Sequence, residues 1–270
     1  MHSADGEDHP STLTGSGGAD ASSSVRSATR ALHILEYVGA AGRGVRLAEI
    51  VNELDIPKTS AHSLIKSLVS INYLVPDQNR GYRLGLRVFE LGTAVDITQA
   101  LIEAGRPELL ATSRATGCTC NLGILDGYHV FYVDKVQDSE TRIQIVTRVG
   151  GRLPVHATAM GKVLLSGLTD HALDSWIGGM TFEPLALRTV TDPAILREQV
   201  IAARTNGFAV DDEESHPNVV CVAAPVVDAA GKVIAAVSVT GLRDSMVVDG
   251  DYPARRTVQE MGRRVSAALR

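Results

Sequence analysis

Several groups of residues in this chain carry side chains able to do chemistry. Cys118 and Cys120 lie two apart on an expected strand, so both point to one face. With His129, His156 or Cys221 they would make a zinc set. A C-x-C pair without a second pair is a weak signature, and buried free cysteines are the commoner account. The stretch His156-Ala-Thr-Ala-Met-Gly-Lys162 ends like a phosphate loop and fails elsewhere. His156 stands where the first glycine belongs, and Val163 replaces the hydroxyl that would hold magnesium. What survives is a helix N-terminal region whose free N–H groups suit a small anion. Asp211-Asp-Glu-Glu214 allows a paired-carboxylate catalyst, although a solvated strand end is commoner. Ser238 and Thr240 share a strand face and interrupt the apolar run 233–239, with Cys221 on the paired strand. Polar groups at the mouth of an apolar sheet either satisfy one another or bind a ligand. No Ser-His-Asp or Cys-His arrangement follows from spacing.

A further group faces outward from a helix. Leu47, Ile50, Val51 and Leu54 form one apolar stripe, and Ala61, Leu64, Ile65 and Leu68 a second. Between them Pro57 disfavours helical geometry at Ile56 and fits the first turn of the next helix. Two short amphipathic helices with a tight break are a helix-turn-helix pattern. On the second helix Thr59, Ser63, Lys66 and Ser70 point away from the stripe, flanked by Ser60, His62 and Ser67. No carboxylate occurs from Pro57 to Pro76. Hydroxyls with Lys and His suit a groove lined with phosphates and base edges, against the plainer alternative of a solvated helix face.

The elements that must position these groups follow from pattern. Residues 1–24 read as a flexible tail, being rich in Ser, Gly, Asp and Ala. Ser27 caps a helix to about Val38, with Ala28, Ala31, Leu32 and Leu35 inward. After the helix pair comes a hairpin, 73–75 and 82–84, whose Arg80 and Arg83 would meet backbone phosphates. Residues 86–106 read as a linker helix with exposed apolar surface suited to a partner subunit, and Pro107 is expected to start a new helix. From 118 the pattern turns to strands: 118–125 and 128–136 about Asp126-Gly127, 142–149, then 219–227 and 232–240. Helices are expected at 157–168, 170–177, 192–205 (stopped by Gly207) and 252–269. The fold class is α+β with a mainly antiparallel sheet.

Charge is uneven. Residues 1–24 carry four acids and no Lys or Arg, residues 25–92 carry nine Lys/Arg against six acids, and residues 93–270 carry seventeen against twenty-one. These sum, −4 + 3 − 4, to the net −5. The basic part holds the helix pair, as a DNA module needs. Three cysteines imply no disulfide framework and fit a reducing cytoplasm. No apolar run reaches the roughly 20 residues of a membrane helix, and no signal peptide is evident.

Arg30-Ala31-Leu32, Asp55-Ile-Pro-Lys-Thr-Ser60, Tyr82-Arg-Leu-Gly85, Pro154-Val-His-Ala-Thr-Ala-Met-Gly-Lys162, Asp211-Asp-Glu-Glu214 and Val220-Cys-Val-Ala-Ala-Pro225 together resemble the IclR family of bacterial transcriptional regulators. The resemblance covers about residues 25–269. It implies a winged helix-turn-helix DNA-binding domain (25–85), a linker helix (86–106) and a GAF-like effector domain (107–270). It also implies a homodimer or tetramer that binds double-stranded operator DNA, acts as repressor or activator, and senses a small organic or aromatic acid. Neither cofactor, metal, catalytic residue nor membrane is called for. DNA contacts fall on Thr59, Ser60, His62, Ser63, Lys66, Arg80 and Arg83. By motif, the effector meets Met160, Gly161, Asp211, Cys221, Ser238 and Thr240, with Leu122 and Ile124 as apolar walls. The chain departs from the family in having Ser63 where Arg is usual and Val155 where Leu is common. The rival expectation is a metal-dependent or thiol hydrolase carried by Cys118, Cys120 and His156, with the N-terminal helices as a protein-interaction module.

Overall fold

The computed structural model describes residues 18–78, 81–93, 96–137 and 147–270. The chain divides into two compact units, one ending at Val95 and one spanning Asp96–Arg270.

In the first unit, α1 (Gly18–Ala41), α2 (Leu47–Leu54) and α3 (Lys58–Ser70) precede a hairpin of β1 (Leu74–Pro76) and β2 (Tyr82–Leu84). Helix α4 (Leu86–Thr93) follows. The two stripes meet as their period requires: Ile50 of α2 and Ala61, Ile65 and Leu68 of α3 pack with Ile34, Val38, Val45, Ile56 and Leu74. Asp55 is left-handed (φ 47°) and closes α2, while extended Pro57 caps α3. Two expectations for α1 need correction. It starts at Gly18 rather than Ser27, so the last residues of the expected tail are helical; residues 1–17 lie outside the described ones. Its inward stripe is Ala31, Ile34, Leu35 and Val38, leaving Ala28 and Leu32 exposed.

The second unit holds a six-stranded sheet, β5-β4-β3-β8-β7-β6, antiparallel throughout. Its strands are β3 (Thr119–Asp126), β4 (His129–Val136), β5 (Arg152–Pro154), β6 (Ala209–Asp212), β7 (Val219–Val227) and β8 (Val233–Leu242). The long hairpins fall where alternation and turn residues placed them. The short edge strands β5 and β6 were not anticipated, and the strand expected over 142–149 falls largely outside the described residues.

Helices cover both faces. On one, Leu101 and Leu109 of α5 (Asp96–Thr116) and Val258, Met261 and Val265 of α10 (Ala254–Ala268) pack on Cys120, Leu122, Val222 and Val237. On the other lie α6 (Ala159–Ser166), α7 (Asp170–Gly178) and α8 (Pro193–Asn206), over Val130, Tyr132, Ala223 and Ala236. Gly207 ends α8 with φ 71°. A short helix, α9 (Arg243–Met246), follows β8. Pro107 does not begin a helix but lies inside α5. Leu101 and Leu109 are both fully buried on either side of it, so packing carries the helix through a residue that ordinarily breaks one. Within the expected linker the described residues are helical in α4 and in the first turns of α5, and residues 94 and 95 between them lie outside the described ones.

Among the described residues no helix is long and apolar enough to cross a membrane.

Candidate functional site

Helix α3 buries one face and leaves the other bare. Thr59, His62, Ser63, Lys66, Ser67 and Ser70 are exposed, and Ser60 is half-buried. Two of the hydroxyls are already used: Ser67 Oγ donates to Ser63 O at 3.1 Å and Ser70 Oγ to Ser67 O at 2.7 Å. The outward groups left over are Thr59, His62, Ser63 and Lys66. Lys58, also exposed, begins the helix beside Thr59 and escaped the sequence reading because periodicity marks it only as a start. In the wing, Val75 pairs with Arg83, and Arg83 Nε lies 3.1 Å from Asp77 Oδ1. Arg83 is thus held within the hairpin rather than unpaired, while Arg80 lies outside the described residues.

The second candidate is a pocket on the α6 side of the sheet. Strand alternation and register bring distant residues into one rung there: Asp211 pairs with Cys221, Cys221 with Thr240, and Thr240 with Thr119. The next rung on the same face is Ala209, Ala223, Ser238 and Asn121. Above them, Thr158 caps α6 by accepting from Gly161 N at 3.1 Å, which brings Ala159 and Met160 to the pocket wall. The enclosed volume is about 180 Å³, lined also by Tyr132, Thr147, Leu153, Ser215 and His216.

Of the expected ligand residues, Met160, Asp211, Cys221, Ser238 and Thr240 line this pocket together. Gly161 does not. It serves packing instead, since a Cβ there would stand 2.2 Å from Val155 O. Leu122 and Ile124 are also elsewhere: alternation along β3 sends them with Cys120 to the α5/α10 face. Asn121, Tyr132, Thr147 and Ser215 were missed. Only Asn121 left a trace in the sequence, as a polar residue at the spacing opposite to Cys120 and Leu122.

Pocket electrostatics centre on Asp211, which is fully buried. Its Oδ1 accepts from Glu214 N at 2.7 Å and Ser215 N at 3.2 Å, and its Oδ2 from Ser215 Oγ at 2.5 Å. Burial nevertheless pushes its carboxyl up to about 6, with Glu214 adding to the rise and Ser215 and Lys162 opposing it. Cys221 Sγ lies 3.1 Å from Thr240 Oγ1, and burial drives its thiol upward. Among the described residues the pocket lining contains no Lys or Arg.

A bonded chain runs outward from this floor. Asn121 Nδ2 donates to Ser238 Oγ at 3.2 Å and Thr240 Oγ1 at 3.3 Å, and Thr147 Oγ1 donates to Asn121 Oδ1 at 3.1 Å. Lys135 Nζ donates to Thr147 O at 2.6 Å. The Lys135 backbone N–H and Arg106 of α5 both donate to Asp134 Oδ1, at 2.9 and 2.7 Å.

The acidic run is not a solvated strand end. Glu214 is buried against Lys162, Nζ to Oε1 2.5 Å, and Asp212 and Glu213 pair with Arg188 and Arg243. Lys162, 1% exposed, also donates to Val210 O at 2.8 Å, so it is a buried structural cation and not a phosphate ligand.

The hydrolase arrangement does not assemble. Cys120 belongs to the α5/α10 face and Cys221 to the opposite one, and no set of three metal-binding side chains occurs among the described residues. Buried His156 bonds Glu183 O through Nε2 at 3.0 Å. Burial raises Cys118 and pushes Cys120 up to about 12, which removes the thiolate a nucleophile needs.

Comparison with known proteins gives these surfaces a context. Residues 27–78 match the IclR helix-turn-helix domain, and residues 94–267 match the bacterial transcriptional regulator IclR C-terminal domain. The chain is 34% identical over 247 residues to the HTH-type transcriptional regulator XynR of Escherichia coli, covering 91% of this chain and 97% of that one. It is also 34% identical to BhcR of Paracoccus denitrificans over 233 residues, 86% of this chain and 83% of the relative. Among solved structures, an IclR homologue from Microbacterium hydrocarbonoxydans complexed with 4-hydroxybenzoate aligns with a TM-score of 0.78 at 22% identity, over 90% of this chain and 98% of that one. The Thermotoga maritima IclR aligns at 0.73 and 23% identity, over 91% and 99%.

Proposed function

The chain belongs to the IclR family of bacterial transcriptional regulators, and from that premise we propose which residues read DNA, which hold the effector and how the two communicate. The protein is a DNA-binding, effector-responsive regulator and not an enzyme. It works where its DNA is, in the cytoplasm.

Thr59, His62, Ser63 and Lys66 enter the major groove, with Ser60 beside them and Lys58 at a phosphate. Arg80 and Arg83 of the wing meet the backbone, Arg83 exchanging Asp77 for phosphate. The observation that carries this reading is the bare, carboxylate-free face of α3. Two copies present two such faces. Exposed Leu86 (79%) and Phe89 (71%) of α4 supply the apolar contact for a homodimer, which can pair into a tetramer.

The effector is a small organic or aromatic acid. At about 180 Å³ the pocket is below the roughly 300–1,000 Å³ of drug-sized sites, which sets a small ligand. Its carboxylate lies at the start of α6, near Ala159 and Met160, where helix N–H groups and dipole favour an anion. Its polar remainder meets Asp211, Cys221, Ser238 and Thr240. The 4-hydroxybenzoate held by the Microbacterium homologue is an acid of this kind. The signal leaves through Asn121, Thr147, Lys135 and Asp134 to Arg106 on α5, the helix that continues the chain from α4.

The test is operator binding by fluorescence anisotropy on duplexes from the DNA flanking the coding region, with and without 4-hydroxybenzoate and related acids. Sequence-specific binding that one acid shifts by roughly 5–150-fold is expected, the usual range of allosteric coupling. Binding that no small acid alters would overturn the effector class.

A further inference from the structure

An acid in the effector pocket must be held without a cation, since among the described residues the lining has no Lys or Arg. Of the first four N–H groups of α6, Thr158 takes two: its Oγ1 accepts from Gly161 N at 3.1 Å and its carbonyl from Lys162 N at 3.2 Å. Ala159 N and Met160 N have no acceptor among the described residues. Two N–H groups do not saturate a carboxylate, whose oxygens offer about four acceptor sites.

A further donor is Tyr132 of β4. It lines the pocket, is 4% exposed, and its hydroxyl bonds to nothing among the described residues. Register explains why: its rung runs through Gly123, Ala236 and Pro225, none with a polar side chain. Thr119 Oγ1, on the same face and also unpartnered, is sealed within the protein, whereas the Tyr132 hydroxyl is not. Burial, with Cys221 and Asp211 adding to it, holds the phenol well above its ordinary value, so it remains an O–H. Met160 reaches over Gly123, the register partner of Tyr132, its Cε 3.2 Å from where a Cβ would stand. The start of α6 and Tyr132 therefore meet at one end of the pocket, within one apolar cluster. A buried donor without an acceptor costs stability, and in a pocket the missing acceptor is a ligand's.

We propose that Tyr132 is the specificity-determining contact of this pocket: its O–H donates to the effector's carboxylate, completing with Ala159 N and Met160 N an uncharged cradle for the anion. This rests on the reading above that an acid binds here with its carboxylate at the start of α6. It adds a selection which that reading does not make. Such donors favour a carboxylate over a neutral group of the same shape, because hydrogen bonds to a charged acceptor are the stronger.

Titration calorimetry and carbon-13 NMR on the full-length protein, with tyrosine labelled at Cζ, test the contact. The probes are 4-hydroxybenzoate, acetate, and nitromethane, which copies the shape of acetate without its charge. Affinity for each acid that the wild type binds should fall roughly 10–100-fold in Tyr132→Phe. The variant should melt no lower than the wild type, since it loses only a hydroxyl without a partner in the fold. The Tyr132 Cζ signal, assigned by its loss in that variant, should move with either acid and not with nitromethane. Acid affinity unchanged in Tyr132→Phe, a signal that ignores the acids, or one that moves equally with nitromethane overturns the proposal and leaves the acid reading standing. A lower melting temperature in the variant overturns it too, by showing that the hydroxyl is bonded within the protein. If the wild type binds neither acid, the acid reading falls and takes this one with it.

Discussion

The outward face of α3 and the floor of the effector pocket are both built from small polar side chains, yet they differ in how the chain makes them. The α3 face comes from one thirteen-residue helix whose period sets Ala61, Ile65 and Leu68 inward and Thr59, His62, Ser63 and Lys66 outward. Its groups are solvated and nearly free of partners, so they are available to a partner that is itself charged and wet. The pocket floor needs Asp211, Cys221, Ser238 and Thr240 from three strands, placed side by side by register. Its groups are buried and bonded to one another, so they respond to small changes in a neighbour. A free face binds; a bonded floor reports.

That contrast makes the floor costly to disturb and the α3 face cheap. The largest effect belongs to Lys162→Met, which leaves Glu214 as an uncompensated buried carboxylate. A loss of about 3–5 kcal/mol in urea unfolding of the second unit is expected, partly restored by adding Glu214→Gln. A loss under about 1 kcal/mol, the worth of an exposed pair, would remove the distinction.

Next is Asp211. Its carboxyl sits at about 6 in the fold, above its ordinary value of 3.8. A raised carboxyl stabilises the fold fully below its unfolded value, and the contribution disappears as pH rises through about 6. Between about pH 4 and 7.5 the wild type should lose on the order of 2–3 kcal/mol relative to Asp211→Asn. Parallel stability curves for the two proteins would contradict this environment for Asp211.

Smaller again is Thr240→Val, which strips a partner from both Asn121 and Cys221. Effector affinity should fall about tenfold, near 1.4 kcal/mol, with operator affinity in the absence of effector unchanged. The relay makes a finer prediction. Asp134→Ala should leave each ligand's own affinity within about twofold and cut the effector's influence on operator binding by roughly 1 kcal/mol of coupling. Full coupling in that variant would show that the signal leaves the pocket by another route.

The same contrast explains what the sequence made legible. Periodicity over 47–70 gave both helices, their break and the outward face, because each is decided by neighbours within about a turn or two. The long hairpins about Asp126-Gly127 and Asp228-Ala-Ala-Gly231 were legible for the same reason. What failed depended on distant packing. Pro107 reads locally as a start, and only Leu101 and Leu109 locked into the sheet hold the helix through it. Leu122 and Ile124 read as pocket walls by family likeness, but alternation along β3 puts them on the other face and Asn121 on this one. Glu214 reads as part of a solvated strand end because nothing nearby announces that Lys162, some fifty residues earlier, meets it in the interior. Short edge strands such as β5 and β6 carry too few residues for alternation to register.

The most direct measurement of the central claim is the salt dependence of operator binding by full-length wild type and Lys66→Ala, read by anisotropy at several salt concentrations. Lys66 is exposed and makes no ion pair with another described residue, so the substitution changes the α3 face and little else. Affinity should fall, and the slope of log affinity against log salt should become shallower by about 1, as loss of one phosphate contact requires. Unchanged affinity and slope would mean that DNA is read from another surface.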